Sequence, residues 1–285
     1  MPTTIKQLLS SASKIIDRLD AEVLLAHVLS KPREFLISHD TDTVGLLGAI
    51  KFKRLVKKRS QNYPAAQLTK TKGFFGYEFE VNKHTLIPRP DTEMMVEEVV
   101  DRLRTTDSGQ QIILIDVGTG SGCIPIAIAK QITNYRLQSY FYASDISKQA
   151  LRVAKRNAKK HNVQITFKHG NLLMPWQSTV VRSQSSIIIT ANLPYLTEHQ
   201  FTTEPSIQHE PKSALVAENE GLALYEELLQ QIVSYSMPNV TCYLEIDPTQ
   251  SEKIQSLIKK HIPSATFDIK KDLAGLDRIV KVDIV

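Results

Sequence analysis

The residues best suited to chemistry stand together at Asn192-Leu193-Pro194-Tyr195. The Asn192 amide and the Leu193 backbone carbonyl, held side by side, can accept both hydrogens of a planar NH2 group, and the Tyr195 ring can cover its face. Pro194 has no amide donor and biases Leu193 away from the helical region, so the chain runs extended here. Asn and Pro are also ordinary turn residues, and taken alone the four favour a plain turn. Their neighbours shift the balance.

A second cluster is Gly118-Thr119-Gly120-Ser121-Gly122. Glycines let a backbone turn tightly and approach a ligand closely. Cys123 stands where a dinucleotide fingerprint needs its third glycine, so a pyrophosphate cradle is disfavoured. Asp145 follows at the end of the next strand, about twenty residues on, where an acid can accept ribose hydroxyl hydrogens. Capping the following helix is the alternative for Asp145, although Ser147 can do that equally well. Loop and acid together suggest an adenosine-containing ligand without a strong phosphate site, and S-adenosylmethionine fits this best. An adenine edge would lie near Asn171 and Leu172. Arg89, fixed between Pro88 and Pro90, aims a charge that a helix start at Asp91 or Thr92 does not explain.

These residues need elements to position them. Ser186–Thr190 is a continuous β-branched run, as in a strand buried on both faces of a parallel sheet, and ligands bind at the carboxyl ends of such strands. Gln111–Val117 is a strand feeding the glycine loop, with a helix from Cys123 to Ile132 after it. Tyr140–Ser144, Val163–Phe167 and Thr241–Ile246 supply further strands, with helices over Lys148–His161, Leu222–Ser234 and Pro248–Lys260. Ala265–Ile269 and Arg278–Val282 can form a terminal pair. This alternation predicts an α/β fold, a doubly wound, mainly parallel sheet.

Upstream, residues from Ile5 to about Ser60 repeat at helical spacing, predicting a small all-helical N-terminal domain. Its basic cluster, Lys51 to Arg59, reads as a solvated face. Gly73–Val81 alternates aromatic and polar residues and, with Thr85–Ile87 after a turn at 82–84, predicts a hairpin between domains. The expected division is 1–72, a hairpin linker at 73–88, and 89–285. The long connection from Glu204 to Gly221 could close over a substrate.

Composition narrows the class. The 285 residues carry 42% hydrophobic and 23% charged side chains, as soluble globular proteins do. A net charge of +5 is too mild to identify an acidic partner. Cys123 and Cys242 are too few for a disulfide framework and lack metal-ligand spacing, so no metal is expected. No apolar run reaches membrane-spanning length, and the first residues lack a secretion signal's apolar core. A cytoplasmic location is expected.

The chain resembles the protein-(glutamine-N5) methyltransferases that act on peptide chain release factors. The resemblance rests on Pro64–Leu68 through Leu86-Ile87-Pro88-Arg89-Pro90-Asp91-Thr92-Glu93, on Asp116–Cys123, on Glu210–Leu215 with Glu220-Gly221-Leu222, and on Lys271–Arg278. It implies a class I methyltransferase domain binding S-adenosylmethionine, and a helical N-terminal domain that helps recognise the release factor. It implies Gly118, Thr119, Gly120, Ser121 and Gly122 against the methionine part, Asp145 on the ribose, and Asn192, Leu193, Pro194 and Tyr195 around the target glutamine. Asn192, Pro194 and Tyr195 are the expected catalytic residues, Asn192 also borders the cofactor, and Arg89 joins the substrate contacts. The expected partner is a release factor, with no membrane, no stable nucleic-acid partner, and a monomeric state. Three positions depart from the family: Leu193 replaces the first proline of Asn-Pro-Pro-Tyr, Asn171 stands where an acid is common, and Leu172 lies where an aromatic is often found nearby.

A glutamine amide nitrogen is a poor nucleophile, because its lone pair is conjugated with the carbonyl. A sulfonium donor is already reactive, so positioning and exclusion of water should supply most of the catalysis. An adenine-N6 methyltransferase of RNA or DNA is the competing reading, since its target is also a conjugated NH2. The proline-arginine segment and the lack of an aromatic-and-basic base-binding module weigh against it. A non-catalytic cofactor-binding protein is a third, opposed by the intact Asn192, Pro194 and Tyr195.

Overall fold

The computed structural model describes residues 3–107, 110–133, 135, 137–180, 185–237 and 239–284. Contacts divide the chain into two compact units, Met1–Thr71 with Glu204–His209, and Lys72–Thr203 with Glu210–Val285.

In the first unit a two-residue strand β1 (Thr3–Thr4) pairs antiparallel with β2 (Thr43–Val44). The rest is helical: α1 (Ile5–Ala12), α2 (Arg18–Leu29), α3 (Arg33–Ser38), α4 (Leu46–Arg59) and α5 (Ala65–Thr69). Thr4 and Gln7 form a reciprocal capping box on α1, and Asp17 caps α2. Ile5, Leu8, Leu24, Leu25, Leu36 and Phe52 meet in its core. Lys51, Lys53, Arg54 and Lys57 lie on the exposed face of α4, while Arg59 pairs with Asp20 at 2.6 Å. His209 stacks on Tyr63 with ring centres 3.7 Å apart, so part of the long connection is anchored here.

All but the first residue of a hairpin, β3 (Thr71–Phe74) and β4 (Tyr77–Glu80), belongs to the second unit. Its turn lies at Phe75-Gly76, both at positive φ, and not at residues 82–84 as the alternation suggested. Thr85–Ile87 is no strand: the Asn82 side chain accepts the His84 N–H, and Ile87 donates to a side chain instead of a ladder. Phe74 and Phe79 bury their rings among Met95, Val99 and Leu103.

There follow α6 (Glu93–Arg104), β5 (Gln111–Val117), α7 (Cys123–Gln131), β6 (Gln138–Asp145), α8 (Lys148–Lys160), β7 (Thr166–His169), α9 (Gln177–Val180) and β8 (Ser186–Ala191). Then come α10 (Glu198–Thr203), the single turn α11 (Glu218–Gly221), α12 (Ala223–Ser234), β9 (Val240–Glu245), α13 (Ser251–His261), β10 (Thr266–Lys271) and β11 (Asp277–Ile284). The third of the anticipated strands starts later than its apolar pattern. Asn162 turns at φ 54° and the Val163 N–H closes the end of α8 on Ala158, so Val163 belongs to the helix stop.

The seven-stranded sheet has the order β10-β11-β9-β8-β5-β6-β7. Strands β9, β8, β5, β6 and β7 run parallel, and β11 runs antiparallel to both of its neighbours. Alternate residues serve opposite faces. Ile113, Ile115, Ile187 and Ile189 pack with Leu228, Leu229 and Ile258, while Ile112, Leu114 and Ile188 pack with Val96, Val99 and Ile126. Each such fully buried side chain contributes roughly 1.5–3 kcal/mol, so both sheet faces hold the central strands rigidly.

The chain winds outward from β5 through β6 to β7, then returns to place β8 on the other side of β5. That reversal opens a crevice between the carboxyl ends of β5 and β8, the usual ligand position in such sheets. Val117 lies opposite Ala191 in register, so Gly118 and Asn192 leave the sheet side by side.

Candidate functional site

At this crevice lies a cleft of about 900 Å3, open to solvent. Arg89, Thr92, Gly118, Thr119, Gly120, Ser121, Asp145, Asn171, Leu172, Asn192, Leu193 and Pro194 all line it. The fold therefore gathers most of the residues singled out from the sequence. Gly122 and Tyr195 do not line it. Gly122 sits at φ +80°, where a Cβ would stand 3.1 Å from that of Ala154, so it serves the packing of α7 against α8. Tyr195 lies beneath the cleft and turns its hydroxyl toward Glu245, at 3.4 Å.

The glycine loop is shaped for close approach. At Gly118, φ is +70° and an added Cβ would stand 3.0 Å from the Leu193 side chain, so cofactor loop and Asn192 segment touch directly. Thr119 and Ser121 bury hydroxyls that have no hydrogen-bond partner, a polar lining able to receive a ligand. Asp145 accepts the Gly120 N–H at 2.8 Å on one oxygen and the Ser147 N–H at 2.7 Å on the other. It thus ties the loop to the end of β6, and each carboxylate oxygen retains a second acceptor site for a ribose hydroxyl. Burial raises its pKa, opposed by those two N–H groups. Ser147 caps α8 through the Ala150 N–H, which leaves Asp145 with the loop and the ligand side.

Asn171 donates its Nδ2 to Glu227 Oε1 at 2.6 Å. A carboxylate only accepts, so the Asn171 amide is oriented with its oxygen away from Glu227. Gln231 braces the pair, donating to Glu227 and accepting the Leu173 N–H at 2.8 Å. An adenosine moiety fits these residues: a close-approach loop, an acid for the ribose and an oriented amide beside the cleft.

On the opposite wall Asn192 donates Nδ2 to the Thr92 hydroxyl at 2.9 Å. Thr92 starts α6 yet makes no capping bond, because its hydroxyl is used here. The Leu193 N–H, which a proline would lack, donates to the Tyr225 hydroxyl at 3.3 Å, and that hydroxyl donates on to the Glu245 carbonyl. Gln250 holds the Tyr195 carbonyl at 2.9 Å, and Gly221 lies so close that any Cβ would collide with it. The whole Asn-Leu-Pro-Tyr segment is thereby pinned to β9, α12 and the start of α13.

Two buried carboxylates sit under the cleft. Asp116 accepts the Thr190 hydroxyl at 2.7 Å, and burial outweighs that bond to push its pKa up to about 7. Burial likewise pushes Glu245 up to about 7, opposed by the Thr92 hydroxyl and the charge of Arg278. Burial next to Glu245 also raises the Tyr195 phenol, so it stays protonated. Arg89 reaches the cleft but pairs with the buried Glu210 at 2.5 Å, whose other oxygen accepts the Ile87 N–H.

Sequence reasoning missed the supporting groups. Thr92 passed for a cap, and Glu245, Tyr225, Glu227 and Gln231 lie in segments read only as a strand or a helix. Only Glu210 stood out, within Glu210-Pro211.

Comparison with known proteins agrees with this layout. Residues 3–69 match the family described as PrmC N-terminal domain, and residues 90–196 match ribosomal protein L11 methyltransferase (PrmA). The release factor glutamine methyltransferase of Enterococcus faecalis is 38% identical over 220 residues, covering 76% of this chain and 75% of that protein. The Bacillus subtilis protein of the same name is 32% identical, with 91% and 89% covered. Among solved structures, the human Mettl16 catalytic domain in complex with a 3'UTR hairpin superposes with a TM-score of 0.57 at 15% identity, covering 91% of each chain. At that identity the likeness is one of fold. No described helix is long and apolar enough to cross a membrane.

Proposed function

The chain belongs to the release factor glutamine methyltransferase family, and from that premise we propose how its own residues methylate a release factor. The target is the side-chain amide nitrogen of the glutamine in a Gly-Gly-Gln segment. One observation carries the reading: the register of β5 against β8 sets the glycine loop and Asn192 at one cleft.

Bound S-adenosylmethionine supplies a methyl group on a sulfonium, which is transferred to the amide nitrogen. Gly118 to Ser121 hold its methionine end, Asp145 its ribose, and Asn171 and Leu172 its adenine edge. Asn192 Oδ1 and the Leu193 carbonyl accept the two hydrogens of the glutamine NH2. This orients the nitrogen toward the donor and stabilises positive charge as it grows there. Pro194 walls the pocket, and Tyr195 braces the segment from behind. Arg89 contacts the release factor near the glutamine. The proton leaves to water after transfer, so no buried base is needed. Residues 1–72 recognise the body of the release factor, 73–88 connect, and 89–285 carry out transfer. The protein works as a cytoplasmic monomer without a stable nucleic-acid partner.

The test is labelled S-adenosylmethionine offered with release factor, with its Gly-Gly-Gln→Gly-Gly-Ala variant, and with ribosomal RNA. Label is expected in the first alone. Label in the RNA, or equal label in the alanine variant, would overturn the reading.

A further inference from the structure

Asn192 has two ends, and only one is useful. Its oxygen must face the substrate NH2, because the opposite orientation would set donors against donors. The bond from Nδ2 to the Thr92 hydroxyl does not by itself settle this, since a hydroxyl can donate as well as accept. What the hydroxyl does depends on where its own hydrogen goes.

Thr92 is 2% exposed, so solvent does not take that hydrogen freely. The Glu245 carboxylate faces it from the end of β9, 1% exposed, with Oε2 lacking a direct hydrogen-bond partner. An ionised carboxylate only accepts. Ionised, it can take the Thr92 hydrogen, which would leave the Thr92 oxygen to receive the Asn192 NH2. We propose that Glu245 is a positioning residue which, acting through Thr92, locks the Asn192 amide with its oxygen toward the substrate. This rests on the reading of Asn192 as the group that holds the target amide.

The lock depends on protonation. A protonated Glu245 can donate to Thr92, which then donates to Asn192 and favours the wrong end. The groups around Glu245 are Arg278 from β11, Asp91 beside the start of α6, Tyr195 after β8, Tyr225 from α12 and Cys123 at the start of α7. Arg278 is itself held by Asp272 at 3.0 Å and lies 3.4 Å from Asp91. Burial brings the carboxyl to about 7, so the lock engages as pH rises through neutrality.

The experiment measures kcat and KM for methylation of intact release factor from pH 5.5 to 8.5, together with S-adenosylhomocysteine affinity by calorimetry. Glu245→Gln and Thr92→Val should each lower kcat roughly 10- to 100-fold, the scale of one charge-assisted hydrogen bond. Both should lose the rise of kcat through neutral pH while cofactor affinity stays within about twofold, because neither touches the lock's cofactor side. Thr92→Ser keeps the hydroxyl and should recover most of the rate and the pH rise. The double variant should be no slower than Thr92→Val, since both act on one relay. Unchanged kcat and pH profile in Glu245→Gln, or equal damage from Thr92→Ser and Thr92→Val, overturns the lock. If Glu245→Gln loses cofactor binding through misfolding, the two Thr92 variants decide. A wild type that leaves the glutamine unmethylated sinks the functional reading, and the lock with it; a wild type that methylates beside insensitive variants sinks the lock alone.

Discussion

Arg89→Ala separates two roles that one side chain combines. The guanidinium lines the cleft and pairs at 2.5 Å with Glu210, whose side chain is 1% exposed and also accepts the Ile87 N–H at 2.8 Å. Removing one partner of a buried ion pair costs about 3–5 kcal/mol, because the other charge is stranded. The Arg89 side chain is 33% exposed, so water enters the vacated space. Solvent screening then brings the expected loss to about 2 kcal/mol. For a chain of this size that lowers Tm by roughly 4–8 °C. Thermal unfolding of the wild type, Arg89→Ala, Glu210→Gln and the double variant measures it directly. The cycle should show a coupling of about 1–2 kcal/mol, with Glu210→Gln partly restoring stability to Arg89→Ala. KM for release factor should rise in Arg89→Ala and stay raised in the double variant, since neutralising Glu210 does not replace the lost substrate contact. An unchanged Tm with no coupling would refute the structural role; an unchanged KM would refute the substrate role.

Other consequences follow from the same geometry. Gly118→Ala sets a Cβ 3.0 Å from Leu193 at a φ of +70°, a backbone cost of about 1–2 kcal/mol plus displacement of the Asn192 segment. Calorimetry should show weaker S-adenosylhomocysteine binding, and methyl transfer should fall further than binding does. Glu227→Ala frees Asn171 to turn its amide either way, so cofactor affinity should drop roughly three- to tenfold, a fraction of one hydrogen bond, with little change in the release factor KM. Tyr225→Phe strands the Leu193 N–H and the Glu245 carbonyl, both buried, and should cost about 1–3 kcal/mol in urea unfolding with a lowered kcat.

The buried strands were legible because Ile112–Ile115 and Ile187–Ile189 are continuous apolar runs, which only a sheet covered on both faces accommodates. The glycine loop and Asp145 were legible because their chemistry is local in the chain. The hairpin turn was misplaced because Phe75 adopts φ 50°, a conformation no side-chain pattern announces for phenylalanine. Thr92 was read as a cap because capping is what a threonine before a helix usually does. Its real partner, Asn192, lies just past the end of β8, and the packing of α6 against the sheet is what brings the two together. Glu245 was hidden for the same reason: within Thr241–Ile246 it appeared as the polar end of a strand, and its burial depends on α6, α12 and β11 folding around it.

The central claim is that Asn192 and the Leu193 carbonyl hold the glutamine nitrogen beside the methyl donor. A crystal structure of the protein with S-adenosylhomocysteine and a Gly-Gly-Gln peptide tests it most directly. The glutamine NH2 should lie within hydrogen-bond distance of Asn192 Oδ1 and the Leu193 carbonyl, with the nitrogen facing the cofactor sulfur. A glutamine seated elsewhere, or a cofactor whose sulfur points away from residue 192, would contradict the account.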